Sequence, residues 1–142
     1  MLQRIITNGK NDVDRAALAV GQALGLETDS PNEPLDYKSP YYASSRKNLR
    51  EADGVLLLGL NPPRVWRIKS LYLPRYYAWI RHEAQETGKP LMVINLGTGI
   101  DPAIFDRWLA SQQMVTLYIT GPQQPGVFEA TENYLTLLLG DR

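Results

Sequence analysis

The 142-residue chain carries 15 basic and 15 acidic side chains, so no net field draws it to nucleic acid or to an anionic membrane. It holds no cysteine, which excludes disulfides, a cysteine nucleophile, cysteine-ligated zinc and iron–sulfur clusters. With 44% apolar and 21% charged residues, and no apolar run near the ~20 residues of a membrane span, it reads as one soluble domain over 1–142, expected in the cytoplasm.

A short apolar strand is predicted at Arg4–Thr7, followed by the polar turn Asn8-Gly9-Lys10-Asn11-Asp12. A helix comes next, with Val13, Ala17, Val20 and Leu24 on one face and Gly25 as its stop. Glu27–Ser44 is rich in Pro, Ser, Asp and Tyr and reads as a long irregular loop. Gly54–Leu60, Pro90–Leu96 and Val115–Thr120 are nearly continuous apolar runs, the pattern of strands buried on both faces. Asn61–Ser70 reads as a second loop. Leu73, Tyr77, Ile80 and Ala84 mark a helix that stops at Thr87-Gly88-Lys89-Pro90. Asp101-Pro102 caps another, with Ile104 and Trp108 as its apolar positions, and Val127, Ala130, Tyr134 and Leu138 line the last. Alternating strands and helices imply right-handed crossovers and a three-layer, Rossmann-like α/β/α fold with a mainly parallel sheet of four or five strands.

The first turn carries the clearest chemistry. A strand running into a tight turn and a helix aims backbone N–H groups and a helix dipole at one spot, which suits an anion. Lys10 can act there as a point charge and Arg15 as a fork, with Asn8, Gly9 and Asn11 supplying turn contacts. Asp14 stands beside them as a candidate for a ribose hydroxyl, or for holding Ser45 or Asn48. Ser45 and Asn48 lie three apart, on one face of a short helix. The same residues also make an ordinary capped helix start, with Asp12 as the cap. Arg64, Trp66, Arg67, Lys69, Tyr72, Arg75, Tyr76 and Tyr77 interleave bases with aromatics, which fits a lid or a subunit contact better than nucleic acid in a neutral chain. Gly97-Thr98-Gly99 is a weak phosphate signal. The single His82 sits mid-helix and makes no transition-metal site, so no metal is expected.

Several of these segments resemble one family. Asn8–Leu18 is similar to the Gly-Gly-Gln-Thr-Gly-Val-Asp-Arg-Ala-Ala-Leu signature of the "putative molybdenum carrier" proteins, the permuted YpsA-like branch of the SLOG superfamily. Tyr41–Gly54, the Gly88-Lys89-Pro90 strand entry and the Gly121-Pro122…Pro125-Gly126-Val127-Phe128 ending resemble further blocks of it. Of three turn glycines only Gly9 remains, and Asp12 stands where the last would be. A Gly-Gly-Thr after the second main strand is replaced by Asn61-Pro62-Pro63-Arg64.

The resemblance implies a small anionic ligand, either a nucleotide derivative or an oxyanion of molybdenum-cofactor type, with Arg64 closing over it. It also implies self-association into a homo-oligomer. Binding without catalysis is the expectation. One alternative is a nucleoside-monophosphate phosphoribohydrolase using Glu83, although the glycine-rich motif preceding such an acid is missing. Another is an assembly protein with a degenerate pocket.

Overall fold

The computed structural model describes residues 1–30, 40–60, 72–122, 124 and 126–140, with backbone alone for 40–44 and 72–76. In chain order its elements are β1 (Arg4–Ile6), α1 (Asp12–Ala23), β2 (Glu27–Asp29), α2 (Pro40–Glu51), β3 (Gly54–Gly59), α3 (Tyr72–Glu86), β4 (Leu91–Asn95), α4 (Pro102–Ser111), β5 (Thr116–Thr120) and α5 (Phe128–Leu139). The strands form one parallel sheet in the order β2-β1-β5-β3-β4.

Side chains alternate across β3. Leu56 and Leu58 join Ile5, Leu117 and Ile119 under α1, α4 and α5, where Val13, Ala17, Phe105, Leu109 and Leu135 complete one core. Val55 and Leu57 join Tyr118 under α2 and α3, against Leu49, Ala52, Ile80 and Ala84. Two covered faces explain why β3 reads as an unbroken apolar run.

The Rossmann-like expectation therefore holds, and the sheet has five strands. Part of the reading of Glu27–Ser44 does not hold. Glu27–Asp29 is an edge strand, paired Arg4↔Glu27 and Ile6↔Asp29, and a helix begins at Pro40. A three-residue edge strand needs no apolar run, and its acids serve another purpose. Arg4 lies 2.5 Å from Asp29, 3.5 Å from Glu51 and 3.8 Å from Glu27, tying β1 to β2 and to the end of α2. The loop expected at Asn61–Ser70 lies outside the described residues.

Two helix faces also turn out differently. On α4 the buried residues are Phe105 and Leu109, whereas Ile104 is exposed and Trp108 half-buried. The helix turns Phe105 and Leu109 inward, with Trp108 flanking them at the edge of the core. On α5 Ala130 is exposed, while Thr131, Leu135 and Leu139 are buried beside Leu138. The stops are as expected. Gly25 and Gly88 take φ of +74° and +69°, and Lys89 N–H returns to the Ala84 carbonyl at 2.8 Å.

Connections leave the sheet in opposite directions. β1 passes to its outer neighbour β2 through α1 on one face, and β3 to β4 through α3 on the other, with β5 between β1 and β3. This is the switch point of an open α/β sheet, and its crevice lies beyond the carboxyl ends of β1 and β5.

Candidate functional site

The turn from β1 into α1 enters that crevice. Gly9 has φ +72°, and a Cβ there would lie 2.9 Å from Ser30 Oγ, so both conformation and space call for glycine. Asn11, not Asp12, is the N-cap of α1. Its Oδ1 accepts from Asp14 N–H at 3.0 Å, and the Asp14 carboxylate reaches back to Asn11 N–H at 3.4 Å, a reciprocal capping box. Asn11 Nδ2 also donates to the Gly121 carbonyl at 2.8 Å, tying the turn to the end of β5.

Beneath the turn lies a buried polar hub. Asn48 Nδ2 donates to Asn8 Oδ1 at 2.9 Å. The Tyr118 hydroxyl lies 3.1 Å from the same oxygen and 2.9 Å from Ser45 Oγ. Asn8 Nδ2 donates to Ser45 Oγ at 3.1 Å and, at the longer limit of 3.5 Å, to Thr120 Oγ1. Both lone pairs and both N–H bonds of the Asn8 amide are thereby used. Asn8, Ser45, Asn48, Tyr118 and Thr120 are all buried. The hub pins α2 to the carboxyl ends of β1 and β5. It holds the floor of the crevice, and the Asn8 amide is spent within it.

Asp14 is wholly buried at the same place. Its Oδ2 accepts from Lys10 N–H at 3.1 Å as well as from Asn11, so the turn's own N–H groups already face a carboxylate. Its Oδ1 is buried and accepts no hydrogen bond from the described residues. Burial pushes the carboxyl up from 3.8 to about 6, against the pull of the Lys10 and Asn11 N–H groups and of the Thr7 and Thr120 side chains.

The cationic groups lie on the rim. Lys10 is half-buried and makes no ion pair among the described residues, and Arg15 is exposed. Arg15 is not simply solvated. It donates to the Asp12 carboxylate and, at 3.3 Å, to the Lys10 carbonyl. The other Asp12 oxygen accepts from Gly126 N–H at 2.8 Å and Val127 N–H at 3.1 Å, where α5 begins without a side-chain cap of its own. The N-termini of α1 and α5 thus meet at one rim.

The structure brings Asn8, Gly9, Lys10, Asn11, Asp14, Arg15, Ser45 and Asn48 to one end of the sheet. Asp14 braces the turn and does not touch Ser45 or Asn48 through any hydrogen bond described. Arg64 lies outside the described residues, as do Trp66, Arg67 and Lys69. Tyr77 of the basic–aromatic string packs against the core under α3. Asp53 is at the opposite end, accepting from Val115 and Thr116 N–H at 2.8 and 2.9 Å. Glu83 is in the last turn of α3, toward the amino ends of the strands, and lies 4.0 Å from Arg46. His82 is exposed. The N–H groups of Gly97 and Gly99 are taken by Asn95, so that triplet is a self-contained turn. Tyr118 and Thr120 were read only as part of the strand Val115–Thr120, and Gly121 only as part of the closing family block. The one signal was a tyrosine inside an apolar strand run, where its hydroxyl must find a partner. No group of three or more metal-ligating side chains occurs among the described residues.

No family model matches the sequence, and a search of the curated proteins finds no match. Among solved structures, the fold matches a crystal structure described as a "putative molybdenum carrier protein" from Syntrophus aciditrophicus, with a TM-score of 0.75 and 21% identity. The match covers 97% of this chain and 95% of that one, so the two share a Rossmann-like α/β fold from end to end.

Proposed function

We propose that the protein, as a single SLOG-like domain, binds a small anionic ligand at the rim between β1 and β5, without acting on it chemically. The observation that carries this reading is the meeting of two helix N-termini, α1 and α5, with Lys10 and Arg15 at a switch-point crevice. Each N-terminus presents partial positive charge, and the two cations add whole charges in a half-exposed setting where they remain effective. Gly9, Lys10 and Arg15 are the contacts. Asn8, Asn11, Asp14, Ser45 and Asn48 hold the turn in the shape that presents them, and Arg64 belongs to the proposed closure. The ligand class is a nucleotide derivative or an oxyanion, molybdate included. The molybdenum side of this choice draws on the description of the Syntrophus neighbour and on the resemblance of Asn8–Leu18.

The two carboxylates at this rim, Asp12 and Asp14, are both engaged by the turn and by the start of α5, which favours binding over hydrolysis. Glu83, the acid of the hydrolytic alternative, lies 4.0 Å from Arg46 and has no glycine-rich motif before it.

Thermal unfolding in the presence of ADP, molybdate and inorganic phosphate tests the reading. A ligand at 100 times its dissociation constant should add about 2.7 kcal/mol of stability. Lys10→Ala should abolish that shift, whereas Lys47→Ala, on the exposed face of α2, should not. A shift that survives Lys10→Ala would place the ligand elsewhere.

A further inference from the structure

We infer that Asp12 is a built-in competitor for the ligand, a carboxylate that fills the anion position of the rim and must be displaced before an anion can enter. This rests on the anion-binding reading above.

One Asp12 oxygen takes the Arg15 guanidinium, and the other takes Gly126 and Val127 N–H at 2.8 and 3.1 Å. Two backbone donors at a helix N-terminus and an arginine fork form the donor set that receives a phosphate or another tetrahedral oxyanion. Here the chain supplies the anion itself. The adjoining donors, Lys10 and Asn11 N–H, face Asp14, which is wholly buried and cannot leave. Asp14 Oδ1 lies in the same first turn, buried and without a donor among the described residues. Two carboxylates are thus packed into one helix turn, and one oxygen of the buried one has no donor among the described residues.

Asp12 is the member that can move. Its side chain is 17% exposed, and Arg15 is 52% exposed. An incoming group has to offer Arg15 and the α5 N–H groups more than a single carboxylate does. Dianions such as a terminal phosphate or molybdate meet that requirement, and monoanions such as acetate do not. Asp12 therefore sets specificity by charge.

Titration calorimetry with inorganic phosphate, molybdate and ADP tests this on the wild type, Asp12→Asn, Arg15→Gln and the double variant. Asp12→Asn retains an oxygen for the α5 N–H groups but releases Arg15. It should bind phosphate or molybdate roughly two- to fivefold tighter than the wild type, the scale of one half-exposed charge pair. That gain should vanish in the double variant. A gain for ADP without inorganic phosphate would assign the site to a nucleotide phosphate, and a gain for both to the oxyanion group alone. Asp12→Ser, which also removes the charge, repeats the test should Asp12→Asn unfold. Wild-type binding that Lys10→Ala abolishes but Asp12→Asn leaves unchanged or weaker would overturn the competitor role and leave the binding reading intact. No binding to any variant would overturn both.

Discussion

Asp14 shows how a single residue can be legible in position and not in role. The helical spacing put it beside the turn, where a ligand contact and a first-turn acid were equally open. The structure instead closes it off from solvent and gives it the turn's N–H groups. Its folded-state pKa of about 6 lies above the ordinary 3.8, so the folded protein holds the proton more tightly than the unfolded chain does. The stability this contributes is complete below about pH 4 and is lost as pH rises through about 6, at a cost of roughly 3 kcal/mol. Asp14→Asn retains an acceptor for Lys10 and Asn11 N–H and removes the buried charge. Relative to the wild type it should grow more stable across that window, as read by urea unfolding at pH 4, 5, 6 and 7.5. Parallel pH profiles would show that Asp14 titrates like an exposed acid.

At the scale of elements, α1 and α4 use the same capping device with different consequences. Asp101 accepts from Ala103 N–H at 3.0 Å on an exposed helix start. Asn11 caps α1 and in addition holds the buried Gly121 carbonyl. Asp101→Ala should cost about 1 kcal/mol, the ordinary loss of a cap. Asn11→Ala should cost about 2–3 kcal/mol, because a buried acceptor also loses its donor. Equal losses in chemical denaturation would mean that the tie to β5 contributes nothing. The Asp101-Pro102 start was plain in the sequence because capping is local. Asn11 and Asp14, three apart, carry the same kind of local signal, and the cap lies at Asn11 rather than at Asp12.

Across the whole molecule, the site depends on how closely β5 approaches β3. A Cβ on Gly121 would lie 2.2 Å from the Leu58 carbonyl oxygen, a backbone atom that cannot retreat without moving the strand. A Cβ on Gly54 would lie 2.4 Å from Met114 Cε, the end of a flexible side chain. Gly121→Ala should therefore lose about 3 kcal/mol or more and Gly54→Ala about 1 kcal/mol, with the difference visible in urea midpoints. Comparable midpoints would show that β3 and β5 can separate without penalty. Tyr118 links the same two scales, since its ring fills the core under α2 while its hydroxyl completes the hub.

Local rules settled much of this protein before folding is considered. Apolar runs buried on both faces, glycine stops and an Asp-Pro start depend only on neighbours in the chain, so the Rossmann-like layers and the place of the crevice were readable from Arg4–Leu18 and Gly54–Thr120. The edge strand Glu27–Asp29 was not, because its three residues are held by Arg4 and by pairing to β1 rather than by any apolar pattern. Nor was the division of labour at the rim. Asn8 meets Ser45 and Asn48, 37 and 40 residues away, and Asp12 meets Gly126 and Val127 more than a hundred residues on. Only the sheet order, with β5 inserted between β1 and β3, brings those partners together. That insertion decided which polar side chains were consumed as structure and which cations lie at the rim.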